Sequence, residues 1–319
     1  MKKIRIYFSI VILATLLIAM LYNGMVRPNE VSKTEFLFDT PCTITVFKNS
    51  EKSAVAEAFN EATRIHKLSN FFDSASDVSK INTAKMNKPV KVDPSIIEML
   101  DLAGKISDSS NGAFDISIAR VMRLWTFDKE NPIPPTEEEI KAALAFSGKG
   151  SIAVDKNSYT VTKKYDDTQI DLGGIAKGYA ADMAAKVLQE MNVKAAIIDF
   201  GGNLITIGKN PKTKDGMWRR GLQKPFSPNG EYVKTLKIGP GAVATSGTYQ
   251  RNFVYDGVLY HHIIDPKTGK PANQAFSGVT VTASNSALAD ALGTAVFVLG
   301  REEGRKLAED FGAEVVFLE

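Results

Sequence analysis

Hydrophobic positions along this chain repeat with two different periods. Between residues 54 and 68, Val55, Phe59, Ala62, Ile65 and Leu68 recur at three or four and predict an amphipathic helix. Pro94-Ser95 opens a second helix, with Ile96, Ile97, Leu100 and Leu102 apolar and Asn111-Gly112 past its end. Thr136, followed by Glu137, Glu138 and Glu139, predicts a helix start with the hydroxyl as N-cap and acids in the first turn. Further helices are predicted over 177–191, 287–299 and 301–311, the last two parted by Gly300. Short apolar runs predict strands over 42–47, 170–172, 195–200, 204–207, 258–264, 277–283 and 313–318. Residues 27–34 are polar and predict a linker. Helices and strands mix without a regular βαβ alternation. The pattern therefore predicts an α+β fold of mixed or antiparallel sheets with packed helices.

The first segment differs from the rest. Lys2, Lys3 and Arg5 precede an uncharged stretch, residues 6–26, closed by Arg27. As a helix, 21 residues would span about 31 Å, one hydrocarbon core. The basic start and apolar run also fit a cleaved signal peptide. No convincing small-residue cleavage site follows the run, and no cysteine stands there to take a lipid. The favoured reading is one uncleaved N-terminal transmembrane helix, with residues 1–32 as anchor and linker and residues 33–319 as one domain. Basic residues before the span place the N-terminus inside and the body outside the cytoplasm. The formal charge of +3 resides in residues 1–32, leaving a neutral body. Such a body gives no electrostatic case for nucleic-acid binding. Cys42, the sole cysteine, excludes an intrachain disulfide and reads as a small core residue.

Several local motifs carry candidate chemistry. Asp171-Leu172-Gly173-Gly174-Ile175-Ala176-Lys177-Gly178 ends a strand in an acid, turns through two glycines and opens a helix bearing a lysine. Such an arrangement suits a phosphate, though a Gly-Gly turn by itself is more often just a turn. It is neither a Walker A loop nor GxGxxG. Asp199-Phe200-Gly201-Gly202-Asn203 reads as a tight hairpin, and Thr245-Ser246-Gly247-Thr248-Tyr249 as a loop rich in hydroxyls. Of three histidines, His66 lies on an amphipathic helix and reads as structural. His261 and His262 are adjacent on a predicted strand, so one can face a pocket and the other cannot. Asp290 and Thr294, at i and i+4 in an apolar helix, put oxygens on one face. Such oxygens suit a hard cation such as Mg²⁺; a capped or salt-bridged Asp on the solvent side is the other reading.

In this order, the pieces resemble the ApbE family, the FAD:protein FMN transferases. The resemblance covers residues 36–319. It includes Phe38-Asp39-Thr40-Pro41-Cys42, Leu68-Ser69-Asn70-Phe71, the segment 76–82, Gly112-Ala113-Phe114-Asp115 and the Asp171–Gly178 motif. It continues through Gly201-Gly202-Asn203, Thr245-Ser246-Gly247, His262-Ile263-Ile264-Asp265-Pro266 and Ala289-Asp290-Ala291-Leu292. Asp39 stands where the family usually has Gly, and Thr248 where an acid is common.

The resemblance implies a fold and a reaction. FAD and an acceptor threonine or serine give a phosphodiester-linked FMN-protein and AMP, with Mg²⁺. It implies Mg²⁺ held by Asp290, Thr294 and the Gly174 carbonyl. It implies contacts to FAD from Asp171, Lys177, Thr245, Ser246, His262 and Ile263, and a ring site lined by Phe38, Phe71, Ala113, Phe114 and Asp115. His262 is the candidate general base and Asp171 the second catalytic candidate. The acceptor motif resembles Ser/Thr-Gly-Ala-Thr; none occurs here, so the acceptor is another, extracytoplasmic, protein. A Mg²⁺-dependent FAD pyrophosphatase and a non-catalytic, membrane-tethered flavin carrier are the competing readings.

Overall fold

The structure is a computed structural model that describes residues 30–127, 129–227 and 231–319. The chain opens with β1 (Val31–Leu37) and β2 (Thr40–Val46), then α1 (Lys52–Ser69), α2 (Asp77–Thr83), β3 (Val90–Lys91), α3 (Pro94–Ser109), α4 (Ala119–Leu124) and α5 (Glu137–Leu144). It continues with β4 (Ile152–Asp155), β5 (Thr160–Lys163), α6 (Ala176–Glu190), β6 (Ala196–Phe200), β7 (Asn203–Ile207), β8 (Trp218–Gln223), β9 (Tyr232–Ile238) and β10 (Gly241–Gly247). β11 (Asn252–Tyr255), β12 (Val258–His261), β13 (Gly278–Ala283), α7 (Ser286–Leu299), α8 (Arg301–Asp310) and β14 (Glu314–Leu318) complete it. An antiparallel sheet in the order β1-β2-β6-β7-β10-β13-β14 forms the frame. Smaller sheets pair β3-β5-β4, β8-β9 and β11-β12.

One face of the large sheet carries the helices. Paired residues of antiparallel strands share a face. Cys42 pairs with Phe200 and Phe200 with Asn203, and Phe200 stacks on Phe59 of α1 at 6.2 Å. α1 packs on α6, α6 on α7, and α7 on β10 and β13. Val55, Ala58, Phe59, Ala62 and Ile65 bury the predicted stripe of α1. α3 starts where predicted: Asp93 accepts from Ser95 N at 2.8 Å, and Pro94 fills the first turn. Thr136 and Glu139 cap α5 reciprocally. Cys42 is fully buried, as expected of a core residue.

Four expectations are corrected. Residues 31–34 belong to the edge strand β1, not to a linker. The run 170–172 is not a strand: both amide groups of Asn82 bond the backbone of Ile170, at 2.8 and 2.9 Å, in place of a neighbouring strand. Thr245 and Ser246 lie within β10 instead of a loop. The strand expected over 258–264 ends at His261, one residue before a last in-register bond from His262 N to Arg251 O at 3.1 Å. The hairpin at Gly201-Gly202 is present, with φ of +61° and +95° as a type I′ turn requires. Among the described residues no helix is long and apolar enough to cross a membrane; the anchor expected over residues 6–26 lies outside them.

α6 and α7 touch at Gly178. A Cβ there would stand 2.3 Å from the carbonyl oxygen of Ser286. Gly178→Ala is therefore expected to destabilise the fold by about 1–3 kcal/mol, as overpacking does. Gly104→Ala, on the exposed side of α3 with nothing within 4 Å, should stabilise it by about 0.5–1 kcal/mol. Urea denaturation of the two variants checks both signs.

Candidate active site

The Asp290 carboxylate lies between α6 and α7, with its residue 6% exposed. That removes the solvent-side reading of this acid. Its Oδ2 accepts from Gly178 N at 3.1 Å, and Lys177 Nζ stands 3.4 and 3.5 Å from its two oxygens. Lys177 also donates to Gly173 O at 2.9 Å. The ammonium is thus bracketed by a carbonyl and a carboxylate. Thr294, one turn on, faces Gly174, where a Cβ would stand 3.8 Å from Thr294 Oγ1. The structure therefore brings Gly174, Asp290, Thr294 and Lys177 together. Among the described residues no group of three His, Cys, Asp or Glu side chains could hold a metal. The oxygen set here mixes one carboxylate with a hydroxyl and carbonyls, as hard cations accept.

The 171–174 turn is held from two sides. Asp171 accepts from Gly173 N at 2.6 Å, and Asp171 N donates to Ile116 O at 2.8 Å. The neighbouring segment supplies Phe114, whose ring edge would lie 3.0 Å from a Cβ on Gly174. Ala113 is buried beside it, and Asp115 accepts from Ser117 N and Oγ at 2.8 and 2.6 Å. Behind Ile170, Asn82 is itself gripped through its carbonyl by Lys163 Nζ at 2.8 Å. Lys163 is buried, and that burial lowers its pKa.

Other expected residues are distributed around this cluster. β10 sends Ser246 to the helix face, where its Oγ would lie 2.6 Å from a Cβ on Gly293. Thr245 points to the opposite face, bonds Thr280 Oγ1 at 3.0 Å and lines a cavity of about 490 Å³. Asp199, Gly201, Gly202, Arg220 and Tyr249 line the same cavity, with Arg220 Nη1 2.9 Å from Asp199 Oδ2. Phe38 sits in the β1–β2 turn, its N–H on His66 Nδ1 at 3.3 Å and its ring edge-on to the imidazole. His66 is thus a structural partner of a residue expected at the site. Phe71 packs against Phe72 and lies beneath Arg123. Ile263 is buried, its N–H on His261 Nδ1 at 3.3 Å.

The two adjacent histidines diverge. His261 is buried, Nε2 3.0 Å from Ala272 O, with its ring edge-on to Phe297. It borders a second cavity, about 550 Å³, with Trp125, Tyr260 and Phe226. His262 turns away, its Nδ1 3.2 Å from Arg251 O. A carbonyl can only accept, so Nδ1 carries the proton and the Nε2 lone pair stays free. Burial pushes His262 down to about 4; the bond to the Arg251 carbonyl opposes this, while the positive charges of Arg251 and Lys177 add to it.

Two residues with a place in this site carried no role in the sequence reading. Asp182 of α6 accepts from Ser286 N and Ala287 N, both at 2.8 Å, and caps α7. Burial, with a smaller contribution from the Asp290 charge, raises it to about 6. An acid in the small-residue face of α6 was its signal. Asn203, of the Gly-Gly-Asn turn, is 2% exposed and faces the helices, with its amide Nδ2 lacking a partner. Pairing with Phe200 sets that face; only the register reveals it.

The ApbE family model matches residues 38–317. A Treponema pallidum FAD:protein FMN transferase is 30% identical over all of this chain and 92% of its own length. A Klebsiella pneumoniae FAD:protein FMN transferase is 31% identical over 86% of this chain and 84% of its own. The crystal structure of the ApbE protein from Thermotoga maritima superposes with a TM-score of 0.82 at 33% identity, covering 91% of this chain and 94% of that one. Flavin transferase ApbE from Vibrio cholerae gives 0.80 at 28%, covering 91% and 93%.

His262 has a testable titration. Its folded pKa lies below the unfolded value near 6.5, so between about 6.5 and 4 the unfolded chain binds the extra proton. The stabilisation is present above that window and is lost as pH falls through it. Compared with His262→Gln, the unsubstituted protein should lose stability from pH 7 to pH 5. Urea melts at both pH values check the sign, and an NMR titration of the imidazole should give a midpoint well below 6.5.

Proposed function

The chain belongs to the ApbE family, and on that premise we propose that it transfers FMN from FAD to a threonine or serine hydroxyl of an acceptor protein, releasing AMP. The observation that carries the reading is the buried Asp290 carboxylate. It lies beside Thr294 and Gly174 and has a cationic side chain already drawn to it. These residues fit a hard cation, and Asp290, Thr294 and the Gly174 carbonyl would hold it. A Mg²⁺ bound there would neutralise charge on the pyrophosphate as the phosphoryl group moves.

The chain's own side chains perform the rest. Lys177 reaches the phosphates from the start of α6, and the unpartnered Asn203 Nδ2 offers them a donor. Asp171 holds the Gly173-Gly174 turn through one oxygen and keeps the other for FAD. Phe38, Phe71 and the Ala113-Phe114-Asp115 segment line the ring site, with Ile263 behind His262. Thr245 and Ser246 lie on opposite faces of β10, so a dinucleotide that touches both passes over the end of the sheet at Gly201-Gly202. His262, neutral and with Nδ1–H tied to Arg251 O, accepts the acceptor hydroxyl proton at Nε2. The hydroxyl oxygen then bonds to the FMN phosphorus while the bond to the AMP oxygen breaks. The anchor expected over residues 6–26 would hold the body outside the cytoplasm, where the acceptor presents a Ser/Thr-Gly-Ala-Thr-like segment.

The full chain, FAD, Mg²⁺ and an acceptor fragment bearing that motif provide the assay, read by in-gel flavin fluorescence and free AMP. Asp290→Asn keeps an acceptor for Gly178 N, so the fold should persist while both signals vanish. Full transfer in that variant would remove Asp290 from the reaction. His262→Gln should bind FAD nearly normally and transfer about 10²-fold more slowly or worse, the usual worth of a general base. AMP with free FMN and an unlabelled acceptor would assign hydrolysis instead.

A further inference from the structure

We propose that the sheet end at which β1 begins is a docking face for an anionic membrane surface, and that it turns the candidate active site away from the bilayer. The inference rests on the anchor reading above. The uncharged stretch ends at residue 26, and four residues later the chain enters the fold at Glu30. Four residues reach at most about 14 Å. Whatever surrounds Glu30 is therefore held within about that distance of the lipid headgroups.

Exposed lysines surround Glu30. The register puts the start of β1, the end of β2, the start of β6 and the end of β7 at one end of the sheet, since Val31 pairs with Val46, Val46 with Ala196 and Ala196 with Ile207. Lys48 follows β2, Lys194 precedes β6, and Lys209, Lys212 and Lys214 follow β7; all five are exposed. The loop after β7 is pinned against this end. Lys212 is paired with Glu30 and lies 5.4 Å from the Phe47 ring centroid. Trp218 packs on Phe47 at 5.6 Å and donates to Gly208 O at 2.8 Å. Gly208 is tight against the Lys194 carbonyl, 1.9 Å from where a Cβ would be. The loop carboxylate Asp215 is engaged by Lys237 and Arg219. Five exposed lysines thus stand at the end of the sheet where the tether enters, and anionic headgroups complement them.

The opposite end carries the site. Phe38 follows the last residue of β1, Gly201-Gly202 follow β6, and Thr245 and Ser246 lie near the end of β10. Seven residues of strand separate the two ends, about 23 Å. Docking through the lysines would point the site at soluble-side acceptors and away from lipid.

The test uses the full chain in vesicles of phosphatidylcholine, with and without phosphatidylglycerol. The buried Cys42 thiol, pushed up to about 12 by burial, takes no label. Pro211→Cys marks the lysine end and Gln250→Cys the far end, each carrying a fluorophore read against a headgroup-nitroxide lipid. Quenching at 211 should exceed that at 250 several-fold in anionic vesicles. It should fall in 1 M salt, where the screening length shrinks to about 3 Å, and in the Lys209→Glu/Lys212→Glu/Lys214→Glu variant. Equal quenching at both positions, or quenching at 211 indifferent to lipid charge and salt, would overturn the docking face while flotation with vesicles persists. The salt arm needs no substitution, so a misfolded triple variant leaves the test intact. Failure to float with neutral vesicles would sink the anchor reading, and the docking face with it.

Discussion

The close approach of α6 and α7 at Gly178 governs the centre of this protein. Because residue 178 has no side chain, the first turn of α7 can lie against α6, and Asp290 is brought in with it. An isolated buried carboxylate costs several kcal/mol or more, so this acid depends on its neighbours. Gly178 N–H and Lys177 meet it, and Asp182 fixes the first turn of α7 from the same helix. Thr294 faces Gly174 by virtue of that packing and the helical repeat.

A second constraint acts at the sheet end. Its turns hold backbone in the left-handed region: Phe38 and Asp39 at φ of +54° and +58°, and Gly201 and Gly202 across from them. A non-glycine residue there costs about 1–2 kcal/mol. Asp39, which the family resemblance sets against a Gly, has a backbone in the conformation glycine favours. Aspartate tolerates that region better than most residues, so the departure alters a side chain and leaves the hairpin in place.

The legible parts of the fold were those governed by local physics. The stripe of α1, the Pro-started α3, the box around Thr136 and the Gly-Gly hairpin follow from contacts within a few residues. Long-range partners defeated the reading elsewhere. β1 is an edge strand with polar side chains outward, and its Ser32 and Thr34 hydroxyls bond Thr45 and Thr43 across the pair, so the sequence resembles a linker. The apolar run at 170 resembles a strand, yet a side-chain amide 88 residues away takes its backbone groups. In the site, the oxygens of Asp290 and Thr294 were visible through helical spacing. The division of Thr245 from Ser246, the inward amide of Asn203 and the cap from Asp182 depend on register and packing that no local pattern encodes.

The environment of Cys42 also bears on where such a catalyst can work. Its sulfur sits in the core with carbonyl neighbours at Leu37 and Thr40, and its proton is held far above neutral pH. Thiol–disulfide exchange and stepwise sulfur oxidation both proceed through an accessible thiolate. Folded, the chain offers none. Its maturation requires no oxidative pairing, and changes in the surrounding redox poise leave its one thiol unchanged.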